Sequence, residues 1–129
     1  MLSFRPQRTT VVLVVEDDPA ARKLYRAALS QGEFSINEVD DGLKALHYLE
    51  SHEPAAVVLD LGLPRLHGRD VLNEMAAHGL TARVPVVVVT GTDEQVNHDH
   101  ASSILRKPVT GDALLAAVRR GIKARGNRA

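Results

Sequence analysis

Ala55-Ala56-Val57-Val58-Leu59-Asp60 is apolar at five successive positions and then ends on a carboxylate. A strand with one wet face alternates polar and apolar residues; one with no polar face belongs in the middle of a parallel sheet, with helices over both sides. Three further runs also lead into polar residues. Val11-Val12-Leu13-Val14-Val15 runs into Glu16-Asp17-Asp18, and Val84 to Val89, broken by Pro85, stops at Thr90. Ile104-Leu105 leads through Arg106 to Lys107-Pro108. In a parallel α/β sheet the carboxyl ends of the strands share one edge, where such folds bind ligands. That edge would gather three acids, a hydroxyl and an ammonium.

Between these runs lie helical segments, the alternation that marks βα units. The first strand covers about 10–15, and Pro19 opens a helix to about Leu29 behind Asp18 as N-cap. Ala20, Leu24, Ala27 and Ala28 give that helix its apolar stripe, and Gly32 ends it. Phe34 to Val39 alternates as a strand with a wetter face, and Asp41-Gly42 turns into a helix over 43–51. The third strand is 55–60, the next helix 68–78, and the last two strands 84–90 and 102–106, followed by a helix over 111–123. The expected fold is therefore α/β: a five-stranded parallel sheet in a three-layer sandwich. One connection is anomalous. Residues 92–101 must hold two loops and a helix, and Val96 is their one large apolar side chain, so a loop or a stub is expected there.

The bulk properties set the frame. The chain has 129 residues, 44% hydrophobic and 25% charged, as one globular domain of this size should. We divide it into an N-terminal extension 1–9, a domain 10–124 and a tail 125–129. Sixteen basic residues balance sixteen acidic ones, which argues against a general nucleic-acid or membrane surface. There is no cysteine, hence no disulfide framework and no thiolate chemistry. Met1 to Thr10 lacks the apolar region of a signal peptide, and no run approaches the roughly 20 residues of a membrane span, so a cytoplasmic domain is expected.

If the first and third strands are neighbours, Glu16, Asp17 and Asp60 come together. Clustered carboxylates repel unless a cation sits among them, and hard oxygen donors with room for water suit Mg²⁺. A carboxylate can also attack phosphorus to form an acyl phosphate, a reaction helped mainly by positioning and by neutralising charge.

In these motifs the chain resembles the receiver domains of two-component response regulators, the CheY-like family, over roughly residues 9–124. The matching elements are Val14-Val15-Glu16-Asp17-Asp18-Pro19, Leu59-Asp60-Leu61-Gly62-Leu63-Pro64 with Gly68 beyond, Val89-Thr90-Gly91, and Lys107-Pro108. The resemblance implies a flavodoxin-like sheet order 2-1-3-4-5, with the family's helix 4 here shortened or absent. It makes Asp60 the phosphoacceptor, Asp17 a direct Mg²⁺ ligand, Glu16 an acid acting on the metal directly or through water, and the Gly62 carbonyl a further ligand. Thr90 and Lys107 would contact the phosphoryl group, and the Lys107–Pro108 bond would be cis. The donor would be a sensor histidine kinase or a histidine phosphotransfer protein.

The pattern departs from the family at Ile104, three residues before the lysine, where an aromatic residue usually reports phosphorylation. Gly62 and Thr92 are small and would leave the phosphoryl group open to water. Loss of helix 4 would bare the sheet beside the last strand and the C-terminal helix, an expected dimer or partner surface. Two other readings are a degenerate receiver used only for binding, and a Mg²⁺ phosphatase of the haloacid-dehalogenase type. The latter needs an acid two residues past its nucleophile, where this chain has Gly62, so the domain is read as no turnover enzyme. His98 and His100 with Asp93 and Asp99 offer zinc-type ligands but read as solvated.

Overall fold

The computed structural model describes residues 10–91, 96 and 99–126. Its elements run β1 (Val11–Val15), α1 (Pro19–Gln31), β2 (Ser35–Val39), α2 (Gly42–Ser51), β3 (Ala56–Asp60), α3 (Gly68–Ala77), β4 (Val86–Thr90), β5 (Ser103–Arg106) and α4 (Gly111–Gly126), with a short 3₁₀ turn at Leu80–Ala82. All strand pairs are parallel, in the order β2-β1-β3-β4-β5.

Valine-rich strands in the centre explain the layering. Successive side chains point to opposite faces, and β1, β3 and β4 are apolar at almost every position. Leu13, Val15, Val57, Leu59, Val86 and Val88 form one core with Ala45 of α2 and Val71, Leu72 and Met75 of α3. Val12, Val14, Ala56, Val58, Val87 and Val89 form the other with Tyr25 and Leu29 of α1 and Leu114, Ala117 and Val118 of α4. Each fully buried Val or Leu contributes about 1.5–3 kcal/mol.

Helix boundaries follow local chemistry. The Asp18 side chain accepts the Ala20 N–H at 3.1 Å, capping α1 with Pro19 in its first turn as expected. The helix runs two residues beyond Leu29 before Gly32 closes it. β4 begins at Val86, two residues later than expected, because the Val84 N–H turns back to the Leu80 carbonyl at 2.8 Å. Pro85 follows with no N–H to offer a ladder.

The expectation for 92–101 falls largely outside the described residues; Val96 and 99–101, which are described, are not helical. Among the described residues the bare patch expected beside β5 is not found. Val86 and Val88 are fully buried, and Val96, Ala101 and Ile104 are half-buried against that core, so these three side chains supply cover. Among the described residues the exposed large apolar side chains are Leu24 and Leu43, on α1 and α2, which removes the reason for a dimer through β5 and α4. No helix among them is long and apolar enough to cross a membrane.

Candidate functional site

β1 and β3 are adjacent, with Val15 opposite Leu59, so Glu16, Asp17 and Asp60 leave the sheet side by side. Glu16 and Asp60 are buried and Asp17 is exposed. One carboxylate oxygen from each lies within 4.8 Å of the others. From the far side of the sheet edge the Lys107 Nζ donates to Glu16 Oε1 at 3.0 Å and sits 3.4 Å from Asp60 Oδ1. The lysine is placed by its own backbone: its N–H donates to the Thr90 carbonyl at 2.9 Å, and the bond to Pro108 is cis. Thr90 is buried at the end of β4, one position past Val89, which faces Asp60.

Charge is unbalanced here. Burial pushes the Glu16 carboxyl up to about 7; the hydrogen bond from Lys107 opposes this and the charge on Asp60 adds to it. For Lys107, burial favours the neutral amine, yet the bond to Glu16 and the charges of Asp60 and Glu16 win and raise its pKa. Burial, with the charge on Glu16 behind it, lifts the neighbouring Tyr25 hydroxyl to about 12. One ammonium thus faces three carboxylates. The donor set is all hard oxygen, one acid is open to solvent, and a side chain at Gly62 would meet nothing within 4 Å. A hydrated divalent cation of the Mg²⁺ type fits this chemistry.

Three supports hold the surrounding loops. Gly68 starts α3 against the strand end, its N–H on the Leu61 carbonyl at 2.8 Å; a side chain there would run into the Asp60 carbonyl and, at 2.6 Å, Leu61 Cα. The Asp41 Oδ1 caps α2 by accepting the Lys44 N–H at 2.8 Å. Its Oδ2 accepts Nη2 and Nε of Arg65 at 2.8 and 3.1 Å, fastening the loop after Asp60 to α2. The Lys44 amide and then the Arg65 guanidinium hold the Asp41 carboxyl below its usual range. Arg65 itself has a φ of 66°, a left-handed conformation unusual for a side chain of its size. Finally, Arg22 of α1 donates from Nη1 to the carbonyls of Glu16 and Asp17 at 2.9 and 3.0 Å.

Of the residues named from sequence, Glu16, Asp17, Asp60 and Lys107 are brought together, and Thr90 and Gly62 end or follow the adjoining strands. Asp18 serves as a cap. The histidines take local roles: the His67 Nδ1 accepts the Arg69 N–H at 3.0 Å at the start of α3, and His52 stacks on Tyr48 with ring centres 4.4 Å apart. His98 and Asp93 lie outside the described residues, and among those described the acid trio is the one group of three clustered ligating side chains. Arg22, Asp41 and Arg65 were not foreseen as parts of the site.

The family profile for the response regulator receiver domain matches residues 12–119. The chain belongs to that family. As a receiver domain it is 34% identical over 113 residues to the response regulator MprA of Mycobacterium sp. (strain KMS), covering 84% of this chain and 48% of the relative. The match to MprA of Mycobacterium avium (strain 104) is also 34%, with 84% and 49% covered. The receiver thus spans about half the length of the curated relatives it matches.

Solved structures agree with the fold. The signal receiver domain of a putative Luxo repressor protein from Vibrio parahaemolyticus superposes with a TM-score of 0.83 at 26% identity, covering 92% of this chain and 94% of the other. The receiver domain of the sensor histidine kinase PA1611 from Pseudomonas aeruginosa PAO1, with a magnesium ion coordinated in its active site cleft, gives 0.79 at 26% identity, covering 90% and 99%.

Proposed function

We propose that this receiver accepts a phosphoryl group on Asp60 from a phosphohistidine of a sensor kinase or phosphotransfer protein, with Mg²⁺ bound by Glu16, Asp17, Asp60 and the Gly62 carbonyl. The observation that carries this reading is the three-acid cluster with a single lysine reaching two of its members, at 3.0 and 3.4 Å. The magnesium in the cleft of the Pseudomonas receiver supports the choice of ion.

In the step proposed, an Asp60 carboxylate oxygen attacks the phosphorus. The P–N bond to the donor imidazole breaks, an acyl phosphate O–P bond forms, and the imidazole nitrogen takes its proton from solvent. The ion, when bound, would neutralise negative charge on the transferring group. Lys107, whose ammonium already sits beside Asp60 Oδ1, would pair with a phosphoryl oxygen, and the Thr90 hydroxyl would meet another. Domain and donor react once per phosphoryl group, rather than turning over a substrate. Gly62 supports this, since it stands where a phosphatase would need an acid. The balanced charge supports contact with a protein rather than nucleic acid.

A small phosphodonor with Mg²⁺ and no kinase should add one phosphoryl group to the intact mass. Asp60→Asn should add none. Modification that survives in Asp60→Asn would place the nucleophile elsewhere and overturn the reading.

A further inference from the structure

We propose that Arg22 is a positioning residue for the cation site: its guanidinium, by gripping the Glu16 and Asp17 carbonyls, sets the direction in which the Asp17 carboxylate points.

The two buried acids of the trio are held by their own side chains. Glu16 donates its N–H to Val39, presents Oε1 to Lys107 and Oε2 to the Asp18 N–H at 3.2 Å. Asp60 closes β3, faces Val89 in register and receives Lys107. Asp17 differs. It is exposed, and its carboxylate has no hydrogen-bond partner among the described residues, so the backbone that sets its Cα–Cβ direction is the one protein constraint on it.

That backbone sits in a three-residue turn between β1 and α1, and Arg22 is what grips it from outside. A single nitrogen, Nη1, donates to both carbonyls at 2.9 and 3.0 Å, which ties the two peptide planes to one point. The guanidinium is backed by Glu38 of β2, with Nε at 3.6 Å from Oε1. Arg26 holds the same Glu38 with two bonds of 2.6 and 2.8 Å, so the support is itself anchored. The Arg22 side chain is only 22% exposed, far less than a solvated surface arginine.

A rigid planar fork suits this task better than a flexible ammonium. Groups that orient the ligands of a metal, without touching it, change its affinity by about 10–100-fold when removed. Without the grip, the Asp17 carboxylate would have to be ordered by the ion at the moment of binding, and affinity would fall.

This inference rests on the trio being a divalent-cation site, and the experiment separates the two. Mg²⁺ is titrated directly into wild type, Arg22→Met and Arg22→Lys, followed by amide chemical shifts, with thermal melts on the same samples. In wild type the shifts should report binding near residues 16–18 and 60. Arg22→Met should bind Mg²⁺ on the order of 10-fold more weakly, and Arg22→Lys should recover part of that loss. The Mg²⁺ concentration for half-maximal phosphorylation should rise in step, while saturating Mg²⁺ restores one phosphoryl group per chain. Should Arg22→Met fail to fold, Arg22→Gln, which keeps one neutral donor, carries the same expectation. A variant with a lowered melting point but unchanged Mg²⁺ affinity would show Arg22 to be merely structural and overturn the proposal. Absence of Mg²⁺ binding in wild type would instead overturn the reading on which it rests.

Discussion

Glu16 is a carboxylic acid with 1% of its surface open to water, kept in place by Lys107 and by the Asp18 amide. Its folded pKa of about 7 lies above the ordinary 4.5, so between those values the folded chain holds a proton that the unfolded chain has released. The stability from this group is complete below about pH 4.5 and is lost as pH rises through about 7. After allowance for screening at the open edge, the loss amounts to at most about 2 kcal/mol. Ion-free protein should therefore melt lower at pH 8 than at pH 5, and Glu16→Gln should flatten that slope. Asp40, Asp41 and Glu38 do not interfere, because their lowered pKa values confine their effect to more acid solution. Mg²⁺ binding should release a proton near pH 6 and tighten as pH rises toward 8, which calorimetry in two buffers would detect. A wild-type melting point that climbs steadily from pH 5 to 8 would contradict the assignment.

At the scale of elements, the turns between strands and helices decide what the site can be. Gly68 lets α3 begin against the back of Asp60, with no room for even one carbon. Gly68→Ala should destabilise the fold by about 1–3 kcal/mol and also weaken Mg²⁺ binding, since the intruding methyl presses on the strand end that carries Asp60. Urea unfolding paired with a Mg²⁺ titration would check both, and an Ala variant with wild-type affinity would show that the strand end yields elsewhere. This same scale shows what could be read in advance. Asp60, Thr90 and Lys107 were legible because each terminates a recognisable apolar run, and the sheet brings such ends together. The Asp41–Arg65 clasp was not legible: its partners are 24 residues apart, and Arg65 is not a residue type that announces a left-handed turn. Arg22 was hidden for a similar reason, because it bonds to backbone carbonyls, which carry no side-chain signature. The start of β4 was misjudged since Val84 continues the apolar run but spends its N–H on the 3₁₀ turn.

For the molecule as a whole, the sheet separates two cores that share no helix: α2 and α3 cover one face, α1 and α4 the other. Met75→Ala on α3 should cost about 2–5 kcal/mol and Val118→Ala on α4 about 2 kcal/mol. Because the two sites have no common partner, the double variant should show the sum to within about 0.5 kcal/mol. Chemical denaturation of the three variants tests this, and a clear departure from additivity would mean that the sheet transmits strain between its faces.

Lys107 is separated from Glu16 by 91 residues and reaches it from the last strand of the sheet, which pairs with β4 alone. A growing chain that has emerged only as far as β4 carries all three acids and none of the cation that faces them. The site therefore comes into being only when the last βα unit of this domain closes the edge. Competence to receive a phosphoryl group is in this way a certificate of complete folding: a partly built domain displays its carboxylates but lacks the ammonium proposed to meet the incoming phosphate.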